Sequence, residues 1–300
     1  MNIHGFVDLH THGIGKYDTR TDDYEEILTM ARVHAKTGTI AILPTIYSGH
    51  INEMRNRLEA VSRAMDVQAR SEGLKTMGMR FGAQILGVNL EGPFLNPARC
   101  GAMDKNTFIK PTVAALKRLI AGHEGIIRVI TIAPELPGAM KVIEKCTDMG
   151  IRVNMGHSDA TLRQALDAKK AGATGITHIF NAMRPFHHRE PGIAGLGLID
   201  SDLYIEVIAD GVHLHPKILE LIFSCKQLDK IIIVSDSVKG QKTAKGVVYD
   251  NGILAGSGLT IDGAVRRLQR IGIPTAKIIK ASTDNPLRYI GMKDPIRFSL

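Results

Sequence analysis

Phe6-Val7-Asp8-Leu9-His10-Thr11-His12-Gly13 is the stretch on which the reading of this chain turns. It is a short apolar run that ends in His-x-His and a glycine. Successive side chains of a strand point to opposite faces, so His10 and His12 share one face at the strand's end. Two imidazoles so placed can grip one divalent ion, because imidazole nitrogen suits zinc and other borderline metals.

Working outward, apolar runs recur at 6–10, 39–44, 85–90, 126–132, 151–155, 175–179, 204–208 and 230–234. Between them lie helical patterns at 24–36, 51–70, 112–121, 138–149, 161–171 and 216–225. Many end on a glycine (Gly38, Gly73, Gly122, Gly150, Gly172), which is C-cap chemistry. Strands that are almost continuously apolar are buried on both faces, with helices as the cover. Eight such strands in alternation imply an α/β protein, a (β/α)8 TIM barrel formed by residues 1–300 as one domain. An open doubly wound sheet is the second choice, and no glycine-rich phosphate fingerprint follows the first strand to support it.

In a TIM barrel the active site is built at the C-terminal ends of the strands. The first strand ends in His10 and His12, the third in Glu91, the fifth in His157 and the sixth in His178. The seventh leads into Asp210-Gly211-Val212-His213 and the eighth into Asp236. Singly, each has an ordinary explanation: a hydrogen-bonded core histidine, a turn, a helix cap. Glu135, after the fourth strand, reads as a loop or capping carboxylate. Together, histidines and carboxylates at successive strand tips in one register spell a metal centre. Glu91, His157 and His178 supply three N/O ligands and leave a position for water, as catalytic zinc sites do. His10 and His12 complete a second site or share the first. Asp236 is placed to shuttle a proton and His213 to donate to a carbonyl oxygen.

Bulk properties set limits. The net charge of +8 comes from basic residues scattered along helices such as 163–170 and 266–270, the pattern of solvated faces and not of a nucleic-acid platform. No apolar run approaches the roughly 20 residues of a membrane span, and residues 1–5 have no signal-peptide character. The three cysteines are odd in number and far apart, with no Cys-x-x-Cys pair, so a reducing cytoplasm is the expected setting.

The longer motifs carry a resemblance. They are Leu90-Glu91-Gly92-Pro93-Phe94-Leu95-Asn96, Ala133-Pro134-Glu135, Gly156-His157-Ser158-Asp159-Ala160-Thr161, Thr177-His178-Ile179-Phe180-Asn181-Ala182-Met183, Arg189-Glu190-Pro191-Gly192 and Ala209-Asp210-Gly211-Val212-His213, with Leu254-Ala255-Gly256-Ser257 and Asn285-Pro286. Over about residues 6–291 the chain resembles the N-acetylglucosamine-6-phosphate deacetylases of the amidohydrolase superfamily. The resemblance implies Glu91, His157 and His178 as primary ligands of a divalent metal and Asp236 as the acid/base. It implies His213 at the substrate carbonyl, and Asn181, the Ala182 backbone and Arg189 as sugar-phosphate contacts. The ion would be zinc, with iron, manganese, cobalt or nickel as alternatives, in one or two copies. The substrate would be a phosphorylated amino sugar and the assembly a homodimer.

Two departures stand out. The family's Lys-Gly-Ala-His stretch, whose histidine contacts the sugar, is Cys100-Gly101-Ala102-Met103 here, and Met103 cannot donate a hydrogen bond. Family members also carry a small β-sandwich domain on both sides of the barrel, for which this chain leaves no room; the expectation is a barrel-only variant. Met103 motivates a second reading, an amidohydrolase acting on another N-acyl or cyclic amide. A catalytically silent metal-bound binding protein is a third, and it requires a broken acid/base position, whereas Asp236 is present.

Overall fold

A computed structural model describes residues 5–72, 82–240, 246–250 and 252–292. The reading that no signal segment precedes the barrel rests largely on residues 1–4, outside the described residues. Eight parallel strands run in chain order: β1 (Phe6–Gly15), β2 (Thr39–Tyr47), β3 (Val88–Glu91), β4 (Ile127–Ile132), β5 (Arg152–Met155), β6 (Gly175–Ile176), β7 (Tyr204–Ile208) and β8 (Ile231–Val234). Each pairs with the next. The cylinder closes where the Asp236 amide donates to His10 O at 2.9 Å and the Ser235 amide to Asp8 Oδ1 at 3.1 Å. A short strand β9 (Ser237–Lys239) continues the seam beside β1. It leads into the hairpin β10 (Val247–Asp250) and β11 (Ile253–Ser257).

A helix follows every barrel strand: α1 (Tyr24–Ala35), α2 (Ile51–Glu72), α3 (Val113–Ile120), α4 (Ala139–Asp148), α5 (Leu162–Lys170), α6 (Gly192–Ile199), α7 (Pro216–Cys225) and α8 (Ile261–Arg270). This is the (β/α)8 alternation that the sequence implies. In α4, Ala139, Val142, Ile143 and Cys146 recur at helical spacing and are buried. At the start of α5, Thr161 accepts from the Gln164 amide while the Gln164 side chain accepts from the Thr161 amide, a capping box.

Side chains sort into two layers. Ile42, Leu90, Ile130, Val153, Val207 and Ile233 face the helices. Val7, Leu9, Ala41, Leu43, Val129, Ile232 and Val234 fill the interior, with Leu287 and Tyr289 of a C-terminal helix packed among them. Between the pairs Asp8↔Ile42 and Thr11↔Pro44, β1 advances three residues and β2 two. That bulge lets Leu9 lie in the interior while His10 and His12 turn into the mouth.

Three segments differ from the sequence reading. The third strand is broken, because Gly87 takes φ +139° and leaves Gln84–Ile85 paired to β2 apart from β3. The sixth strand stops at Ile176, since His178 adopts φ +27°. The unassigned stretch before β7 contains α6, Gly-Ile-Ala-Gly-Leu-Gly-Leu-Ile, buried through its first seven residues. It lacks a polar face, so no period shows. A Cβ on Gly197 would come within 2.6 Å of Ile176.

Candidate metal centre

The strand tips bring six side chains to one point in the barrel mouth. One group is Glu91, His157 and His178; the other is His10, His12 and Asp236; all six are buried. Within the first, His157 Nε2 and His178 Nε2 lie 3.0 and 2.9 Å from Glu91 Oε1. The second carboxylate oxygen, Glu91 Oε2, is 3.0 Å from His12 Nε2. The Glu91 carboxylate therefore lies between the two groups. Asp236 Oδ1 stands 3.5 Å from His10 Nε2 and 3.7 Å from His12 Nε2.

The far side of each ring decides what the near side offers. His12 Nδ1 lies 3.0 Å from Thr45 O, and His157 Nδ1 lies 2.8 Å from Arg99 O. A backbone carbonyl can only accept, so both rings carry the proton on Nδ1 and present a bare lone pair at Nε2. His10 Nδ1 donates likewise to Glu206 Oε2 at 2.9 Å. Yet the Nε2 atoms of His10 and His12 are 3.2 Å apart, as are those of His157 and His178. Lone pairs facing each other at that range repel unless a proton or a metal cation lies between them. Imidazole nitrogens and a carboxylate, fixed from behind by backbone acceptors, are the donor set of a zinc-type site. The residues present fit the metal that the sequence implies.

The same crowding shows in the acid–base balance of the bare protein. Burial alone would raise the Glu91 carboxyl, but His157, His10 and His12 overcome it and hold it well below the ordinary range. Burial alone would lower His10, yet the carboxylates of Glu206 and Glu91 push it up to about 10. His178 is raised, Glu91 outweighing its burial.

The mouth is held in strained backbone. Among the described residues, the non-glycine positions with positive φ are His157 (46°), His178 (27°), Phe180 (74°), Ala182 (48°) and Asp236 (46°), all on the loops after β5, β6 and β8. Such conformations cost of order 1–3 kcal/mol each and persist where the surroundings impose them. Glu135 is part of what imposes them: it accepts from Ser158 Oγ and the Asp159 amide, both at 2.6 Å, and from Asn96 Nδ2 at 2.7 Å. Its role is to pin the His157 loop.

The remaining expected residues lie on the rim. His213 Nδ1 donates to Asp210 Oδ2 at 2.6 Å, and Asp210 Oδ1 accepts the Val212 and His213 amides. Asp210 thus both turns the chain and holds the ring. Asn181 directs its amide to His178 O and Ile179 O at 3.2 and 3.3 Å. Gly101, two residues before half-buried Met103, lies beside His157 Cε1 and Ala182 Cβ. Arg189 is exposed, on a loop tip whose His187 and His188 rings are 4.3 Å apart.

The model of the family described as "Amidohydrolase family" matches residues 3–296. This chain belongs to the amidohydrolase family. Among curated relatives, the N-acetylglucosamine-6-phosphate deacetylase of Lysinibacillus sphaericus is 32% identical over 302 residues, covering 95% of this chain and 75% of that protein. The N-acetylgalactosamine-6-phosphate deacetylase of Escherichia coli O157:H7 is 33% identical over 304 residues, covering 96% and 77%. Among solved structures, an N-acetyl-D-glucosamine-6-phosphate deacetylase of Mycobacterium smegmatis, in complex with N-acetyl-D-glucosamine-6-phosphate, superposes with a TM-score of 0.85 at 29% identity, covering 96% and 77%. Family membership and the two ligand groups together make this a divalent-metal site.

Two residues of this amidohydrolase mouth escaped the sequence reading. Glu206 lies within the apolar run 204–208 and is buried against His10. A lone carboxylate in an otherwise apolar strand is the signal that could have found it. Tyr47 stacks on the His12 ring with centroids 3.7 Å apart, and the Arg20 guanidinium lies over its other face. As an aromatic at a strand end it carried no signal. Among the described residues, no helix is long and apolar enough to cross a membrane.

Proposed function

We propose that this amidohydrolase is a metal-dependent deacetylase that hydrolyses the acetamido group of N-acetylglucosamine-6-phosphate or a close N-acetyl amino-sugar phosphate. The observation that carries the proposal is the Glu91 carboxylate lying between two histidine pairs, with Asp236 alongside. Relatives named for this activity on both the gluco and galacto sugar support the substrate class.

In this reading Glu91, His157 and His178 would hold one divalent ion, zinc first among the candidates, and His10 and His12 would help hold a second. When bound, the metal supplies Lewis acidity toward water and the amide carbonyl. Asp236, at the lip of the site, takes the proton from the attacking water and returns it to the leaving amine. His213, held through Nδ1 by the Asp210 carboxylate, acts as an imidazolium, both of whose nitrogens donate; its Nε2–H meets the amide oxygen as negative charge develops there. Asn181, the Ala182 backbone and Arg189 receive the sugar phosphate, for which the planar guanidinium of Arg is suited. The chain acts as one barrel domain, as a cytoplasmic homodimer.

Met103 favours a second reading within the same chemistry, a different N-acyl or cyclic amide, because a thioether cannot donate to a sugar hydroxyl. A panel separates the two. Acetate release is measured from N-acetylglucosamine-6-phosphate, N-acetylgalactosamine-6-phosphate and their unphosphorylated forms, and loss of the amide bond, read as free amine formed, from other N-acyl compounds and cyclic amides. Turnover confined to phosphorylated N-acetyl sugars supports the first reading. Turnover of another amide with none of the sugar phosphates overturns it.

A further inference from the structure

Glu206 is a buried carboxylate in the middle of β7, below the metal ligands and facing the barrel interior. Its neighbours Ile205 and Val207 face the helix layer, so nothing about the strand's packing asks for a charge there. Removing a carboxylate from water is costly unless it is paired. Its partners are few and specific. Oε2 accepts from His10 Nδ1 at 2.9 Å and from the His178 amide at 3.4 Å. Oε1 accepts from Asn154 Nδ2 at 2.8 Å. Asn154 Oδ1 in turn accepts from the hydroxyl of Tyr289, which rises from the C-terminal helix.

This arrangement does three things to His10. It fixes the proton on Nδ1 and so directs the Nε2 lone pair at His12 and Glu91. It locks the ring's rotation, since Glu206 is itself held through Asn154. It also adds negative charge behind the ring, which raises the ligand's basicity toward a cation. Of the four clustered histidines, His12 and His157 rest on backbone carbonyls, and His178 Nδ1 is buried without a hydrogen-bond partner. His10 alone among them has a carboxylate behind it.

We propose that Glu206 is the positioning residue that commits His10 to metal coordination and thereby installs a second ion beside the one held by Glu91, His157 and His178. The inference rests on the metal-dependent reading above, and counting ions tests it independently of any substrate. Metal-free protein is dialysed against zinc, bound zinc per chain is measured by elemental analysis, and affinities are read by competition with a chelating dye. Wild type takes up two ions. Glu206→Leu takes up one, with the second site weakened more than roughly a hundredfold. Glu206→Gln, whose amide oxygen still accepts from Nδ1, keeps both and weakens the second by roughly tenfold, second-shell losses being of order 10–100-fold. A merely structural Glu206 would instead lower the unfolding midpoint of the metal-free protein and lose both ions together. That outcome, two ions at wild-type affinity in Glu206→Leu, or a wild-type chain that binds one ion, overturns the inference; the last leaves the hydrolase reading to its own assay.

Discussion

Replacing Asp236 by Asn separates the proton transfer proposed for this residue from its structural contacts. Asp236 stands at φ +46°, a region that Asn tolerates nearly as well as Asp, so the backbone is kept. Its amide still donates to His10 O, so the barrel seam is kept too. What is lost is a group able to accept the water proton. General acid–base catalysis contributes roughly 10²–10⁴-fold, about 3–5.5 kcal/mol of barrier. Asp236 Oδ1 lies 3.5 and 3.7 Å from the His10 and His12 ring nitrogens, so metal content must be matched between the two proteins before rates are compared. The assay is kcat/KM for acetate release from N-acetylglucosamine-6-phosphate. Asp236→Ala should also lose stability, by about 1–2 kcal/mol, because alanine resists a left-handed backbone. An Asp236→Asn enzyme with matched metal and activity within threefold of wild type would show that Asp236 does not carry the proton.

Two further outcomes follow from particular contacts. His34, buried beneath the first strand against Thr11 Oγ1, is pushed down to about 4 by burial. Below its unfolded pKa of about 6.5 the unfolded chain binds a proton that the native state refuses, so stability falls as pH drops from about 6.5 to 4, by about 3 kcal/mol in all. Denaturant unfolding of His34→Gln should show an acid limb shallower by about one proton, and an unchanged limb would contradict the assignment. At the rim, Met103→His supplies a hydrogen-bond donor in the segment whose Gly101 lies beside His157 and Ala182 and should raise kcat/KM for the sugar phosphate by roughly tenfold, about one hydrogen bond's worth; a fall instead would show that this segment serves another substrate.

Much of this architecture is legible in the chain because burial on two faces writes itself as apolar runs. The strands that failed to read cleanly did so for local backbone reasons. Gly87 breaks the third strand, and the left-handed turn at His178 cuts the sixth to Gly175–Ile176. Helix α6 escaped because it is buried nearly all round, and periodicity requires a polar face. The six clustered side chains were legible because histidines and carboxylates that each have an ordinary explanation alone recur together at successive strand tips. Glu206 and Asp210 were harder. One sits inside a strand and the other inside a turn, and their significance lies in which ring they hold, a three-dimensional fact. The shared carboxylate of Glu91 was equally out of reach, since one-dimensional spacing cannot say that its two oxygens face different histidine pairs.

The most direct test is a titration of metal-free protein with zinc while acetate release from N-acetylglucosamine-6-phosphate is followed. The metal-free chain should release none, and activity should rise with added zinc to a plateau at two equivalents. Equal release with and without metal, or none at any ratio, would contradict the metal-dependent deacetylase reading.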